Sequence, residues 1–336
     1  MKHIVFLLLL GCPFMSAAQK SSFSRVDRHA ATLGYYPLDM LADKLTTPFY
    51  TDSEKVRAIF YWITTHISYD VVGYHNDSRI ETAELPYDDS EKVEAYFRNK
   101  IADKVITTHM AICEGYATLF KLLCDRAKIP SVIIPGYAKI TSDDIGKKWE
   151  ENHAWNAVKL SGNWVLLDAC WAAGTCDDGV TKFTAKQNDF FYLTPPWLFI
   201  FNHYPTDSKW TLLSDPVSKE QYGNYPQWIL SKKSLVKASF APLNGVLTAR
   251  VGDTLTIEAE LCESDSASMV REMEVDELDA AGNFIDHRQS IPVQQRMLNS
   301  IKKKLTYRYI VWSPAVKELA MTYGNEHLIA YKLQVR

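Results

Sequence analysis

Residues 113–168 contain the pattern that most restricts the fold of this chain, because an amphipathic helix is followed there by short strand-like segments. Apolar residues recur at intervals of three and four from Tyr116 to Ala127. This spacing predicts a helix that starts at or just before Cys113 and ends at Ile129-Pro130. A helix next to antiparallel strands indicates an α+β fold.

The strand-like segments after this helix are short and are bounded by turn residues. Residues 131–134 form an apolar run that predicts a buried strand, with a turn at Pro135-Gly136. His153–Leu160 and Trp164–Asp168 predict two strands joined by the loop Ser161-Gly162-Asn163, which is a β-hairpin pattern.

This hairpin would bring a histidine and an aspartate to one end of a sheet. A symmetric three-residue loop pairs Asn156 with Asp168 and leaves His153 three residues away. Contact between His153 and Asp168 therefore requires a bulge or a shifted register, and bulges are common beside active sites.

Upstream, a second helix has a clear start signal. Thr51 and Glu54 have the spacing of a capping box, and the apolar positions that follow predict a helix ending near Ser68-Tyr69-Asp70. Residues 74–89 have the composition of a polar loop, and residues 90–98 give a weaker helical pattern.

The bulk composition indicates a globular protein with more than one domain. The chain has 336 residues, 47% of them hydrophobic and 23% charged, with a formal net charge of −3. The absence of a basic excess argues against nucleic acid as a partner.

The first eighteen residues have the pattern of a secretory signal peptide. Lys2 precedes the apolar run Ile4 to Leu10, and Ser16-Ala17-Ala18 provides small residues before a cleavage site. The run is shorter than the roughly 20 residues that span a bilayer, so no transmembrane segment is expected. We therefore expect a secreted or periplasmic protein. An alternative is a lipid anchor at Cys12, which lies in a lipoprotein-like box.

Of six cysteines, five remain after removal of the signal peptide: Cys113, Cys124, Cys170, Cys176 and Cys262. An odd number leaves at least one thiol unpaired in an oxidising compartment. The spacing lacks the paired clusters of a zinc site, so we expect no metal and no cofactor. Cys124 lies on the apolar stripe and is expected in the core. Cys170 and Cys176 could form a disulfide or remain two free thiols.

Cys113, His153 and Asp168 are the candidate catalytic residues, because a thiol, an imidazole and a carboxylate are the groups that nucleophilic attack on an amide needs. A helix N-terminus favours the thiolate of Cys113, and the Cys113 amide could supply half of an oxyanion hole. Trp62 and Tyr69 are candidates for the second donor.

After about residue 227 the pattern changes to short alternating segments punctuated by glycines. This indicates a small β-sandwich. The predicted organisation is a signal peptide over 1–18, a first domain over 19–227 and a β-sandwich domain over 228–336.

Several motifs together resemble the transglutaminase-like superfamily of papain-type fold, and within it the kyphoscoliosis peptidase-like branch. The motifs are Tyr61-Trp62-Ile63, Ile67-Ser68-Tyr69-Asp70, Cys113-Glu114-Gly115-Tyr116-Ala117, Gly136-Tyr137-Ala138-Lys139, Asn152-His153-Ala154-Trp155-Asn156, Trp164-Val165-Leu166-Leu167-Asp168, Phe191-Tyr192-Leu193-Thr194, His203-Tyr204-Pro205 and Trp210-Thr211-Leu212-Leu213. Ala111 and Cys170 stand where many relatives have glycine and threonine.

The resemblance implies a Cys113–His153–Asp168 triad, on a core in which the helix carrying the cysteine packs on an antiparallel sheet, followed here by an immunoglobulin-like sandwich. The expected function is a secreted cysteine-dependent amide hydrolase or acyltransferase. It would act on a protein or peptide through an acyl-thioester, with water or an amine as acceptor. The alternative is a catalytically idle protein- or glycan-binding module.

Overall fold

A computed structural model of the chain describes residues 17–76, 90–148, 150–177, 179–228, 236–261, 273–281, 283, 285, 294–299, 304–323 and 326–336. Cys12, Cys262 and residues 1–16 of the predicted signal peptide lie outside the described residues. The same holds for residues 77–89 of the predicted polar loop.

The chain mixes helices and strands, as the sequence predicts. The helices are α1 (Ala17–Ala31), α2 (Leu38–Thr46), α3 (Asp52–His66), α4 (Val71–His75), α5 (Ser90–Thr108), α6 (Cys113–Arg126), α7 (Ala169–Ala173), α8 (Pro196–Phe199) and α9 (Lys219–Asn224). Strands up to the end of the first segment are β1 (Ser68–Tyr69), β2 (Met110–Ala111), β3 (Ser131–Ala138), β4 (His153–Leu160), β5 (Asn163–Leu167), β6 (Gly174–Cys176), β7 (Phe183–Ala185), β8 (His203–Pro205) and β9 (Gln227–Trp228). The later strands are β10 (Val236–Ala241), β11 (Val246–Ala249), β12 (Thr254–Leu261), β13 (Met273–Leu278), β14 (Gln294–Asn299), β15 (Lys304–Ile310), β16 (Glu318–Tyr323) and β17 (Glu326–Val335).

Helix α3 starts at the predicted capping box. The Thr51 hydroxyl accepts a hydrogen bond from the Glu54 amide at 3.2 Å, and the Glu54 carboxylate accepts one from the Thr51 amide at 3.3 Å. These two bonds satisfy amides that have no partner within the helix. The buried face of α3 includes Val56, Ile59 and Ile63. The predicted helix is confirmed, and it ends at His66.

Helix α5 is longer than predicted. The helical pattern ended at Arg98 in the sequence, but α5 continues to Thr108. Beyond two polar residues the apolar spacing resumes, and Ala102, Val105 and Ile106 are buried. These residues continue the face that packs on α6. The predicted polar loop is also wrong at its start, because residues 74 and 75 belong to α4.

Strands β5, β4, β3 and β8 form one antiparallel sheet in that order. The predicted turn at Pro135-Gly136 is wrong, because β3 runs through both residues to Ala138. The Pro135 carbonyl accepts a hydrogen bond from the Thr206 amide at 2.9 Å, and Gly136 pairs with His153 on one side and Pro205 on the other. Strand pairing on both sides overrides the local turn preference of the Pro-Gly pair.

The hairpin between β4 and β5 has a tighter turn than predicted. Leu160 pairs with Asn163, so only Ser161 and Gly162 form the turn, with φ angles of 48° and 84°. Two consecutive positive φ angles are typical of the two-residue turns whose twist matches a hairpin. The register therefore differs by one residue from the prediction, and Asn156 pairs with Leu167.

After residue 227 the described chain is mainly β-structure in two sheets. One sheet has the order β10-β12-β15-β14 and is antiparallel. The other has the order β11-β17-β16-β13, and β9 also pairs with β17. The division at residue 227 and the immunoglobulin-like sandwich stay predictions.

Candidate active site

Cys113 is the first residue of α6. Its N-cap residue, Ile112, provides no side-chain cap, so the amides of the first turn point to the end of the helix without a side-chain acceptor there. The thiol is partly exposed. Gly115 serves packing in the first turn, since a Cβ there would lie 2.8 Å from the Ala111 Cβ and 3.0 Å from Val105.

His153 and Asp168 are hydrogen-bonded to each other. His153 Nε2 lies 2.7 Å from Asp168 Oδ2, and both side chains are buried. The hairpin register explains the contact, because continuing it by one residue places Asp168 opposite Trp155. Residues two apart on a strand share a face, so Asp168 is on the same face as His153, and no bulge is needed.

The charges of the two groups depend on each other. Burial lowers the pKa of His153, but the Asp168 carboxylate and a hydrogen bond with Cys113 outweigh it and raise the pKa to about 10. Burial also works against the Asp168 carboxylate, yet His153 and a second histidine hold the pKa of Asp168 well below its usual range. An ionised carboxylate therefore faces a protonated or proton-sharing imidazole.

Cys113 is the second group that raises the pKa of His153, which places the thiol near the imidazole. Because Asp168 engages Nε2, the ring nitrogen that remains for the thiol is Nδ1. The structure thus pairs His153 with Asp168, and Cys113 lies near the same imidazole.

Residues 39–169 match the family described as "Transglutaminase-like superfamily". Human kyphoscoliosis peptidase is 36% identical over 205 residues, which are 60% of this chain and 28% of that protein. The mouse kyphoscoliosis peptidase is 37% identical over 189 residues, 56% of this chain and 26% of that protein. The chain carries a transglutaminase-like domain of the kyphoscoliosis peptidase-like branch.

Hillarin of Drosophila melanogaster is a more distant relative, 28% identical over 222 residues, which are 61% of this chain and 24% of that protein. The chain covers only about a quarter of the length of these three relatives. Within the described ranges, no helix is both long enough and apolar enough to cross a membrane.

A second histidine, which lies outside the matched residues 39–169, was not predicted as a site residue. His203 Nε2 lies 3.1 Å from the same Asp168 Oδ2 that His153 contacts. The resemblance included the His203-Tyr204-Pro205 motif without giving the histidine a role. Its position 35 residues after Asp168, on a three-residue strand, offers no local signal of the contact.

The other Asp168 oxygen caps a helix. Asp168 Oδ1 accepts a hydrogen bond from the Trp171 amide at 3.1 Å, which makes Asp168 the N-cap of α7. The carboxylate therefore has three donors on two oxygens. A cap of this type stabilises a helix by roughly 1 kcal/mol, so Asp168 contributes to structure as well as to the site.

The other described thiols differ from Cys113 in environment. Cys124 is fully buried on α6, as predicted, and burial raises its pKa. Burial raises the pKa of Cys170 well above its usual value and also raises that of the half-exposed Cys176. Cys170 and Cys176 are free, which decides between the two alternatives left open by the sequence.

The two candidate oxyanion donors fare differently. The Trp62 indole is fully buried and donates its N–H to the Leu33 carbonyl at 3.3 Å, so the prediction for Trp62 is wrong. Tyr69 lies on β1, which pairs with β2 directly before Cys113. Burial raises the pKa of Tyr69, which keeps its hydroxyl protonated and able to donate.

His153, Asp168 and His203 also present three potential metal ligands within 4.8 Å of one another. Metal binding requires each imidazole to direct a lone pair at the ion. The N···O distances of 2.7 and 3.1 Å are those of N–H···O hydrogen bonds. The raised pKa of His153 also favours the protonated ring. Hydrogen bonding to Asp168 therefore explains this cluster better than metal binding does.

Proposed function

We propose that the transglutaminase-like domain is a cysteine-dependent amide hydrolase or acyltransferase that uses Cys113, His153 and Asp168 as a triad. The observation that carries this proposal is the hydrogen bond between His153 and Asp168, together with the Cys113 thiol near enough to the same imidazole to raise its pKa. Asp168 orients the imidazole and stabilises its charged form, and the imidazole takes the proton of the thiol. No histidine acts on the pKa of the other described cysteines, Cys124, Cys170 and Cys176.

In the first half of the reaction the Cys113 sulfur attacks the carbonyl carbon of the substrate amide, and the C=O π electrons move to oxygen. Collapse of this intermediate breaks the C–N bond, and His153 gives its proton to the leaving amine. The product is an acyl-thioester on Cys113. Water or an amine then attacks the acyl carbon while His153 takes the proton of this nucleophile, and the C–S bond breaks to release the Cys113 thiolate. Water gives an acid, whereas an amine gives a new amide.

The oxyanion of the tetrahedral intermediate needs hydrogen-bond donors. The Cys113 amide at the N-terminus of α6 supplies one, because first-turn amides have no intrahelical acceptor. We propose the Tyr69 hydroxyl as the second. Since Cys113 is partly exposed, water reaches the site, and this favours hydrolysis over amine transfer.

The test of this proposal is site-resolved alkylation by iodoacetamide from about pH 4 to about pH 9. We expect Cys113 to react fast near pH 6, well below the usual thiol pKa of about 8.5. The His153→Ala variant should lose this advantage, because the thiolate loses its cationic partner. Cys176, a half-exposed thiol of the same domain, is the internal control and should react only at higher pH.

If Cys113 reacts no faster than Cys176, the enzymatic proposal is wrong and the idle binding module takes its place. If Cys113 reacts faster than Cys176, a library of peptide amides and glutamine side-chain amides can be screened by mass spectrometry for an acyl adduct on Cys113. The Cys113→Ala variant should form no adduct.

We also propose the finer features of the fold. A papain- or transglutaminase-like core is supported by the packing of α6 on β3 and β4, where Asn156 Nδ2 donates to the carbonyls of Ala117 at 3.0 Å and Val132 at 3.1 Å. An immunoglobulin-like sandwich over 228–336 is supported by the two sheets that follow β9.

Export also stays a proposal. Cleavage after Ala18 would remove only the first two residues of α1, whose later residues Phe23, Val26 and Ala30 are buried. We expect N-terminal sequencing of the protein from its native host to begin at Gln19. A lipidated N-terminus at Cys12, or an intact Met1, would contradict this cleavage.

A further inference from the structure

His203 and His153 lie on β8 and β4, the two strands that flank β3 in the sheet. It pairs with Ala138 on β3, and His153 pairs with Gly136 on the same strand. Since 136 and 138 share a face, both histidines are on that face, and the small residues of β3 let their rings approach Asp168. The ring centroids of His153 and His203 are 5.4 Å apart.

The surroundings of His203 are aromatic. Its ring stacks on Phe199 at a centroid distance of 4.0 Å and contacts Trp171 at 4.5 Å and Trp155 at 5.1 Å. The side chain is 1% exposed. This burial lowers the pKa of His203 to about 4, in spite of the nearby Asp168 carboxylate. His203 is therefore a neutral imidazole at physiological pH.

A neutral imidazole carries one N–H, and a carboxylate oxygen can only accept. The contact with Asp168 Oδ2 therefore requires the proton on Nε2, and Nδ1 carries the lone pair. Nδ1 has no hydrogen-bond partner among the described residues. His203 is thus a donor with a defined tautomer that points at one oxygen.

We propose that His203 is a positioning residue: its N–H holds Oδ2 of Asp168 and thereby sets the orientation of the His153 ring toward Cys113. This inference rests on the function proposed above. The α7 cap holds only Oδ1, so without His203 the sole described donor to Oδ2 would be His153, the ring that Asp168 has to orient. With both oxygens held, Oδ2 stays at 2.7 Å from His153 Nε2.

A purely structural role predicts a different response to substitution. Removing one partner of a buried hydrogen bond lowers stability, so a purely structural role predicts a less stable protein whose Cys113 is alkylated at the wild-type rate. A positioning role instead requires the donor itself. His203→Leu and His203→Gln separate these roles, because both side chains have similar volume and only glutamine can place an N–H near the Nε2 position.

We expect alkylation of Cys113 at pH 6 to slow about tenfold in His203→Leu, the lower range for loss of a partner that orients a site residue. His203→Gln should largely restore the rate. Tyr204→Phe, which removes a hydroxyl bonded to the Val217 carbonyl on the same strand, should leave it unchanged. If His203→Leu does not fold, His203→Asn serves in its place, because its shorter amide does not reach Asp168.

Proton NMR gives a second readout that needs no reactive thiol. The His153 N–H bonded to Asp168 should give a low-field resonance protected from exchange with water. It should broaden or disappear in His203→Leu and persist in His203→Gln. An unchanged resonance in His203→Leu, or equal losses in the two variants, would overturn the proposal. If Cys113 of the wild type shows no raised reactivity, the proposed function is wrong. The NMR result then still decides whether His203 positions Asp168.

Discussion

At the scale of single residues, the charge state of His203 links the site to stability. Burial lowers the pKa of His203 from 6.5 to about 4, so the folded state binds this proton only at lower pH than the unfolded state does. Such a group contributes stability that is fully present above pH 6.5 and is lost as the pH falls from 6.5 through 4. This pKa shift of His203 corresponds to about 3 kcal/mol in the free energy of unfolding.

We therefore expect the free energy of unfolding of the wild type to fall between pH 6.5 and pH 4, and the His203→Gln variant to show a smaller fall over the same window. Urea unfolding at half-unit pH steps measures both slopes. Tyr204→Phe should retain the wild-type slope, because it has no group that titrates there. Parallel slopes for wild type and His203→Gln would show that His203 is protonated in the folded state.

How much of the site the sequence predicts depends on whether the signal is local. Cys113 precedes an apolar stripe, and Asp168 follows an apolar run that makes an unpaired carboxylate costly, so both were found. His203 acquires its role only through the pairing of β8 with β3, far from Asp168 in sequence. No local pattern carries that information.

At the scale of elements, β3 depends on a glycine without a side chain. A Cβ on Gly136 would lie 2.4 Å from Trp155 Cη2 and 2.4 Å from the Tyr204 carbonyl oxygen. We expect Gly136→Ala to destabilise the protein by about 3 kcal/mol or more, since neither backbone nor indole can yield this much space. Differential scanning calorimetry measures the loss, and alkylation of Cys113 should slow with it.

Gly34→Ala is the matched control for this substitution. Nothing lies within 4 Å of a Cβ at Gly34, so its melting temperature should stay near that of the wild type. Similar melting temperatures for the Gly136 and Gly34 variants would mean that the sheet accommodates the methyl group and that β3 does not need glycine.

A second element-scale contact joins α1, α3 and the 3₁₀ turn at Asp189–Phe191. Arg57 is buried and donates to Asp27 at 2.6 and 2.8 Å and to Asp189 at 2.6 and 3.2 Å. We expect Arg57→Met to lower the free energy of unfolding by about 3 kcal/mol, the lower end for breaking a buried pair, because Asp189 is half exposed. Urea unfolding measures this loss. Arg25→Met, which breaks an exposed pair with Glu54, should cost less than about 1 kcal/mol, and equal losses would contradict the prediction.

The elements themselves were predictable where one local rule applied. The Thr51 cap and the stripe after Cys113 gave α3 and α6. The turn at Pro135-Gly136 was wrong because strands pair with β3 on both sides, which is a tertiary contact. The three-residue loop was wrong because Ser161 and Gly162 adopt positive φ angles and form a two-residue turn. That one-residue difference in register decides whether Asp168 faces His153.

At the scale of the whole molecule, the described residues up to 228 share buried contacts with the β-structure that follows them. Trp228 is 2% exposed and pairs with Ile329 on β17. The Asn202 side chain bonds the backbone of Trp228 through both its atoms: Oδ1 accepts from the amide at 3.1 Å, and Nδ2 donates to the carbonyl. Lys139 is buried at the same junction and donates to the Tyr225 carbonyl at 2.8 Å. The predicted boundary at 227 therefore cuts through a hydrogen-bonded junction.

These contacts predict how truncation changes stability. A chain that ends at Gln227 leaves the buried Asn202 amide without partners, which costs about 1–3 kcal/mol. A chain that ends at residue 229 keeps those bonds, and it loses the pairing of β9 with β17 and the contacts of Asn224 with Gly245 and of Ser142 with Glu318, which the chain ending at 227 also loses. We expect the melting temperature to be highest for the full chain, lower for the chain ending at 229 and lowest for the chain ending at 227.

The reaction of Cys113 with iodoacetamide should persist in the chain ending at 229, because Asp168 and both histidines have all their described hydrogen bonds within residues 113–203. A chain ending at 229 that melts with the full chain would show that the two segments are energetically independent. A chain ending at 229 that folds but leaves Cys113 unreactive would instead show that the β-structure helps to build the site.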